Sequence, residues 1–132
     1  MKNAFNAAAV INLPVADLAR STVFFKAIGL KHDSSSSDAE STCFLINDHC
    51  TVVLFTRAGY SQFCKKSIAD ASKTSEVVVS LNVSSVEEVD EIADAAIESG
   101  GKQTLRGNRT DSFYRRVFDD LDSHCWEIFW YK

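Results

Sequence analysis

Apolar and polar residues alternate along INLPV (11–15) as in a strand with one buried side. Asp17 follows at an N-cap position, and Leu18, Ser21, Val23, Phe24, Phe25, Ala27 and Ile28 carry a helix that Gly29 stops. Three short strand-like runs come next: around 30–35, TCFLIN (42–47) and CTVVLFT (50–56), with Asn47-Asp48 as a tight-turn signal between the last two. Residues 58–74 are irregular or short-helical and read as a linker. The pattern then restarts. EVVVSLNV (76–83) is a strand, and Ser84 with Glu87 suggests a capping box. Val86, Val89, Ala93, Ala96 and Ile97 form a helical stripe ending at Gly100-Gly101. KQTLR (102–106), SFYRRVF (112–118) and HCWEIFWY (124–131) complete the series as three more strands.

The same unit therefore occurs twice. A shift of 68 places Val10 on Val78, Leu13 on Leu81 and Val15 on Val83. A shift of 75 places His49-Cys50 on His124-Cys125 and Val52 on Glu127, an increase that a second helix about two turns longer would produce. The chain reads as one α+β domain of two βαβββ modules, about 1–57 and 75–132. One helix per module leaves one face of each sheet uncovered.

Sorting each strand by face gives a candidate site. Ile11, Leu13 and Val15, like Val79, Leu81 and Val83, belong beneath the helices. The opposite set is Val10, Asn12 and Pro14 with Val78, Ser80 and Asn82, a mixed surface suited to a ligand. Trp126, Ile128 and Trp130 read as core or interface. If DLDS (120–123) is the turn, Arg116 lies opposite Glu127, with Tyr114 and Phe118 on that face beside Phe129. A carboxylate and a guanidinium among aromatics is the make-up of a small-molecule pocket. Glu127 is then a base or ligand anchor, or the ion-pair partner of Arg116. Tyr114, Arg116, Phe118, Asn12, Ser80 and Phe129 are the ligand-binding candidates, and Arg115 reads as a surface charge. Cys125 reads as a buried small hydrophobe rather than a nucleophile, and His32 and His49 as solvent-exposed turn residues.

Composition narrows the classes without naming a chemistry. The 132 residues are 45% hydrophobic and 24% charged, the mix of a folded soluble domain. Net charge is −4 with dispersed basic residues, which argues against a nucleic-acid partner. AAAVINLPV (7–15) is interrupted by Asn12 and Pro14 and has only Lys2 ahead of it, so neither a membrane span nor a signal peptide is expected. A chain starting at Met1 in the cytoplasm is the expectation, with Cys43, Cys50, Cys64 and Cys125 as free thiols. No cysteine or histidine spacing matches a zinc site.

INLPVADLARSTVFFKAIGL (11–30) resembles the opening of the glyoxalase/bleomycin-resistance/dioxygenase superfamily, the vicinal oxygen chelate proteins. FDDLDSHCWEIFW (118–130) resembles its closing strand pair, usually Asp-Pro-Asp-Gly-His-x-Trp-Glu, with Leu121 and Ser123 replacing the usual proline and glycine. The likeness continues through 68–91, 95–102 and 113–118, and its bacterial branch of predicted lactoylglutathione lyases looks most similar. The resemblance implies an open, cup-shaped barrel of two modules with a small-molecule ligand between them, and a homodimer. It also implies four metal-ligand positions, which fall on Val10, Val52 (or Leu54 after a two-residue slip), Val78 and Glu127. Of these only Glu127 could be a ligand, so no cofactor is expected, although a divalent metal held in another way stays open. The expected function is metal-free binding of a small organic molecule. The alternatives are a metal-dependent lyase and a drug-sequestering resistance protein.

Overall fold

The computed structural model describes residues 5–132, so Met1 and Lys2 lie outside the described residues. Two compact units are present, one of residues up to Lys26 with Leu30–Ile68, the other of Ala27–Gly29 with Ala69–Lys132.

The first unit holds β1 (Ala9–Pro14), α1 (Leu18–Ala27), β2 (Lys31–Asp33), β3 (Ser41–Asn47), β4 (Cys50–Phe55) and the short α2 (Arg57–Ser61). Its open sheet has the order β1-β4-β3-β2, with β1 parallel to β4 and the other pairs antiparallel. Asp17 Oδ1 accepts the Arg20 N–H at 3.0 Å and starts α1. Gly29 ends it at φ +104°, where a side chain would be strained. The Leu30 N–H then reaches back to the Phe25 carbonyl at 3.1 Å, a Schellman-type closure. Leu13, Phe44, Val52 and Leu54 are buried on one face of the sheet, where the Phe25 and Phe44 rings meet at 5.8 Å. His32 belongs to this side as well: its Nε2 bonds the Thr42 hydroxyl at 2.8 Å and its ring lies 5.0 Å from Phe44. The expectation of an exposed turn histidine is thereby corrected, since β2 pairs His32 with Phe44 and turns the imidazole inward.

The second unit repeats the plan with β5 (Val78–Asn82), α3 (Val86–Glu98), β6 (Lys102–Arg106), β7 (Phe113–Asp119) and β8 (Cys125–Tyr131). The sheet order is β5-β8-β7-β6, and β5 is parallel to β8. The helix start lies one residue later than the sequence suggests. Ser85, not Ser84, is the cap: its hydroxyl accepts the Glu88 N–H at 3.1 Å, and Glu88 accepts the Ser84 N–H at 3.0 Å. Gly100 repeats Gly29 at φ +103°, and the Gly101 N–H repeats the closing bond to Ala96 at 2.8 Å. Val86, Val89, Ala93 and Ala96 are buried along α3, while Ile97 at the stripe's end is exposed.

The strand pairings correct the repeat's arithmetic. Asn12 pairs with Val53 and Ser80 with Glu127, so Val53 falls on Glu127, an offset of 74 rather than 75. Val52 falls on Trp126 instead. The 13-residue α3 exceeds the 10-residue α1 by less than one turn, not two.

Candidate functional site

The β7–β8 hairpin decides which side chains share a face. Its loop has five residues, not four: Asp119 pairs with Cys125, and the Asp120 N–H bonds the His124 carbonyl at 3.0 Å. The side chain of Asp120 organises this loop. Its carboxylate accepts the N–H groups of Asp122 (2.9 Å) and His124 (3.0 Å) and the Trp126 indole Nε1–H (3.0 Å). Ser123 completes the loop in the left-handed region at φ +67°. Burial pushes the Asp120 carboxyl above the usual aspartate range, with the His124 charge and these hydrogen bonds pulling the other way.

The added loop residue shifts the register by one and exchanges the faces of β7. Arg116 pairs with Ile128, Val117 with Glu127 and Arg115 with Phe129. The expected grouping of Tyr114, Arg116 and Phe118 with Glu127 and Phe129 is therefore corrected. All three are buried on the side that α3 covers. Arg116, 4% exposed, donates to Asp94 at 2.7 Å and Asp90 at 3.0 Å on α3, and to the Gln103 side chain at 2.9 Å. Burial opposes its charge, but the Asp94 and Asp90 bonds outweigh that and raise its pKa. The Tyr114 hydroxyl donates to Asp90 at 2.8 Å and accepts from Arg106 Nε at 3.3 Å. These groups link sheet to helix. Asp90, Asp94, Gln103 and Arg106 were not singled out in the sequence, although Asp90 and Asp94 stand four apart beside the apolar stripe, a like-charge spacing that a nearby cation relieves.

The far face of the second sheet, away from α3, carries Glu127. Its ion-pair partner is Arg115 at 3.3 Å, the residue read as a surface charge, and not Arg116. The Glu127 side chain is 18% exposed. Ser80 stands beside it on β5 and Phe129 follows on the same face, with Phe129 centred 6.3 Å from Phe113 and 6.2 Å from Tyr131. Arg115 lies 6.0 Å from the Phe113 ring centre. Cys125 is half-buried here, and burial, followed by the charges of Asp119, Glu127 and Asp120, raises its thiol pKa. It is thus protonated at neutral pH and poorly suited to nucleophilic attack. In the first unit the corresponding face, away from α1, carries Asn12 with Val53 and Val10 with Thr51.

The same register tests the metal expectation. Val52 and Leu54 are fully buried on the covered face of the first sheet, so neither reaches the side of Val10. The positions that do face that side are Thr51 and Val53 in the first unit, and Cys125 and Glu127 in the second. With their β1 and β5 neighbours they offer a hydroxyl, an amide and aliphatic groups in the first unit, and one carboxylate, one thiol, a hydroxyl and an aliphatic group in the second. Hard divalent cations take several oxygen or nitrogen donors, so neither set by itself fits one. Among the described residues no cluster of three His, Cys, Asp or Glu side chains could hold a metal ion.

A separate cavity of about 280 Å³ opens on the α3 side of the second sheet. Asp90, Arg106, Asn108, Arg109 and Tyr114 are among its walls.

Two four-stranded mixed sheets, each following a βαβββ order, define the fold of the glyoxalase/bleomycin resistance/dioxygenase (vicinal oxygen chelate) superfamily, and this chain has that fold. A hypothetical protein from S. aureus superposes with a TM-score of 0.79 at 29% identity, covering 98% of this chain and 94% of that one. A glyoxalase-related enzyme from Fulvimarina pelagi gives 0.78 at 20% identity over 96% and 88%. The fosfomycin resistance protein FosX from Listeria monocytogenes, solved with Mn(II) and sulfate, gives 0.68 at 19% identity over 100% and 93%. No protein-family model and no curated protein matches the chain. No helix among the described residues is long and apolar enough to cross a membrane.

Proposed function

We propose that this protein binds a small organic molecule on the sheet face that carries Glu127, without the divalent metal of its metal-dependent fold relatives. The observation that supports this most is Glu127 itself: a half-buried carboxylate beside Ser80 and Phe129, held by one exposed arginine. A ligand that displaces Arg115 gains the carboxylate as a hydrogen-bond anchor or proton acceptor, while Phe113, Phe129 and Tyr131 supply apolar area. A donor set with one carboxylate supports the metal-free form of this reading over a metal-dependent lyase. The reading also takes the protein as a cytoplasmic homodimer. Exposed Val10 and Val78, on the edge strands β1 and β5, are apolar area that a second copy would cover. Light scattering is expected to give twice the chain's mass.

The decisive experiment is metal analysis of the purified protein followed by calorimetric titration. The first probes are fosfomycin, which the name of the fold relative FosX carries, and the hemithioacetal of methylglyoxal and glutathione, which tests the lyase alternative. Metal-free protein should bind one of them, and Glu127→Gln should weaken that binding at least about tenfold, the worth of one charge-assisted hydrogen bond. Stoichiometric manganese, nickel, zinc or iron would overturn the metal-free reading. Binding unchanged in Glu127→Gln would overturn the site.

A further inference from the structure

The cavity on the α3 side of the second sheet lies on the opposite side of that sheet from Glu127, and its walls have a definite charge pattern. Arg106 closes β6, and Gly107, Asn108 and Arg109 form the start of the loop to β7. Gly107 holds this loop close to the sheet: its N–H donates to the Arg115 carbonyl at 3.1 Å, and a Cβ there would stand 3.1 Å from the Arg115 side chain. The chain next returns to the ladder when the Thr110 N–H bonds the Phe113 carbonyl at 2.9 Å. Between these two anchors, the N–H groups of Asn108 and Arg109 donate to no acceptor among the described residues.

The two guanidiniums differ from the third one nearby. Arg116 is held behind the cavity by Asp90 and Asp94 through Nη1 and by Gln103 through Nε. Among the described residues Arg106 makes one side-chain bond, from Nε to the Tyr114 hydroxyl, and its terminal nitrogens have no partner there. Arg109 makes no hydrogen bond or ion pair among the described residues. Asp90, the one carboxylate in the wall, already receives Tyr114 and Arg116 through Oδ1. Its charge is therefore balanced from behind, and two arginines remain uncompensated at the mouth. A guanidinium fork matches the paired oxygens of an oxyanion, which a lone ammonium does not.

We propose that this cavity is a binding site for a small oxyanion, a carboxylate or phosphate compound held by Arg106 and Arg109. At about 280 Å³ the cavity is at the small end of ligand pockets, which fits a compact acid and not an extended molecule. The two sites share no lining residue and meet only where the Gly107 N–H bonds the carbonyl of Arg115, the ion-pair partner of Glu127.

The test uses the full chain, ¹⁵N-labelled, titrated separately with inorganic phosphate and with succinate in about 0.15 M NaCl, where loose surface attraction is screened beyond about 8 Å. The amide resonances of Gly107, Asn108 and Arg109 should move and saturate with at least one of the two anions, and which one separates phosphate from carboxylate chemistry. Arg109→Gln, a change confined to an exposed loop residue, should weaken that binding at least about tenfold and leave the resonances of α3 and β8 in place. Glu127→Gln should leave it unchanged, so that failure of this site and failure of the Glu127 site are told apart. Linear, non-saturating shifts with both anions, or equal affinity in Arg109→Gln, would overturn the proposal.

Discussion

Replacing Arg116 with alanine tests the register on which every face assignment of the second unit depends. The side chain is 4% exposed and spends its donors on Asp94 at 2.7 Å, Asp90 at 3.0 Å and Gln103 at 2.9 Å. Removing one partner of a buried ion pair typically costs about 3–5 kcal/mol, because the other charge is left unpaired. Here the aspartates are 37% and 60% exposed and water can take over part of the arginine's role, which places the cost near the lower limit, about 3 kcal/mol. In a domain of this size each kcal/mol moves the melting temperature by about 4 °C, so Arg116→Ala should melt about 12 °C lower. Arg115→Ala removes a pair whose arginine is 45% exposed, and should cost under about 1 kcal/mol. Urea unfolding of both variants measures the contrast. The alternative register, with Arg116 opposite Glu127, makes a different prediction in a double-mutant cycle: coupling of Glu127 to Arg116 instead of Arg115. A loss under about 3 °C in Arg116→Ala, or stronger coupling of Glu127 to Arg116 than to Arg115, refutes the assignment.

Other substitutions probe the loop that sets this register. Ser123 holds φ +67°, at a backbone cost of about 1–2 kcal/mol, and glycine recovers that strain against about 0.5–1 kcal/mol of added chain entropy. Ser123→Gly should therefore raise the melting temperature by a few degrees, and a decrease would show that the left-handed loop does not form. Asp120 is a carboxyl whose pKa is raised by burial, so between the usual value of 3.8 and its folded value the native state holds the extra proton. That contribution is greatest below pH 3.8 and is lost as pH rises through the folded value. The stability of the wild type minus that of Asp120→Asn should accordingly fall as pH rises from about 4, measured by urea unfolding at a series of pH values. A difference that grows with pH contradicts the sign.

The repeated architecture was legible in the sequence because each of its signals is local. Gly29 and Gly100, the alternation of Ile11, Leu13 and Val15, and the stripe of Val86, Val89, Ala93 and Ala96 each follow from a few neighbouring residues. The faces of β7 were not legible, and the reason is also physical. Tyr114, Arg116 and Phe118 look as suited to a ligand face as Phe113, Arg115 and Val117, so alternation within the strand cannot choose between them. Only the length of the loop chooses, and that length depends on Asp120 capturing three N–H groups, one of them on the Trp126 indole. A contact set by tertiary packing thus fixed the register that strand periodicity left undetermined. The pair Asp90 and Asp94 was the available clue, since like charges four apart on a helix repel and a cation on the neighbouring strand relieves that.

The two units share their strand order and both helix closures, yet they differ in what their uncovered faces carry. In the first unit the strand positions equivalent to Ser80 and Glu127 are Asn12 and Val53, which offer no charge. In the second they offer a carboxylate paired with Arg115. Residues on these faces lie outside the helix-packed cores, whereas Phe44, Val52, Trp126 and Ile128 are fully buried in them. That division is consistent with a chain 16–29% identical to its structural neighbours sharing their fold. Fold and chemistry are specified by opposite faces of the same strands, and the similarity of one carries no information about the other. For this protein the chemistry must therefore be sought in its own side chains, and these place the Arg115–Glu127 ion pair on one side of the second sheet and, on the other, Arg106 and Arg109, which have no carboxylate partner among the described residues.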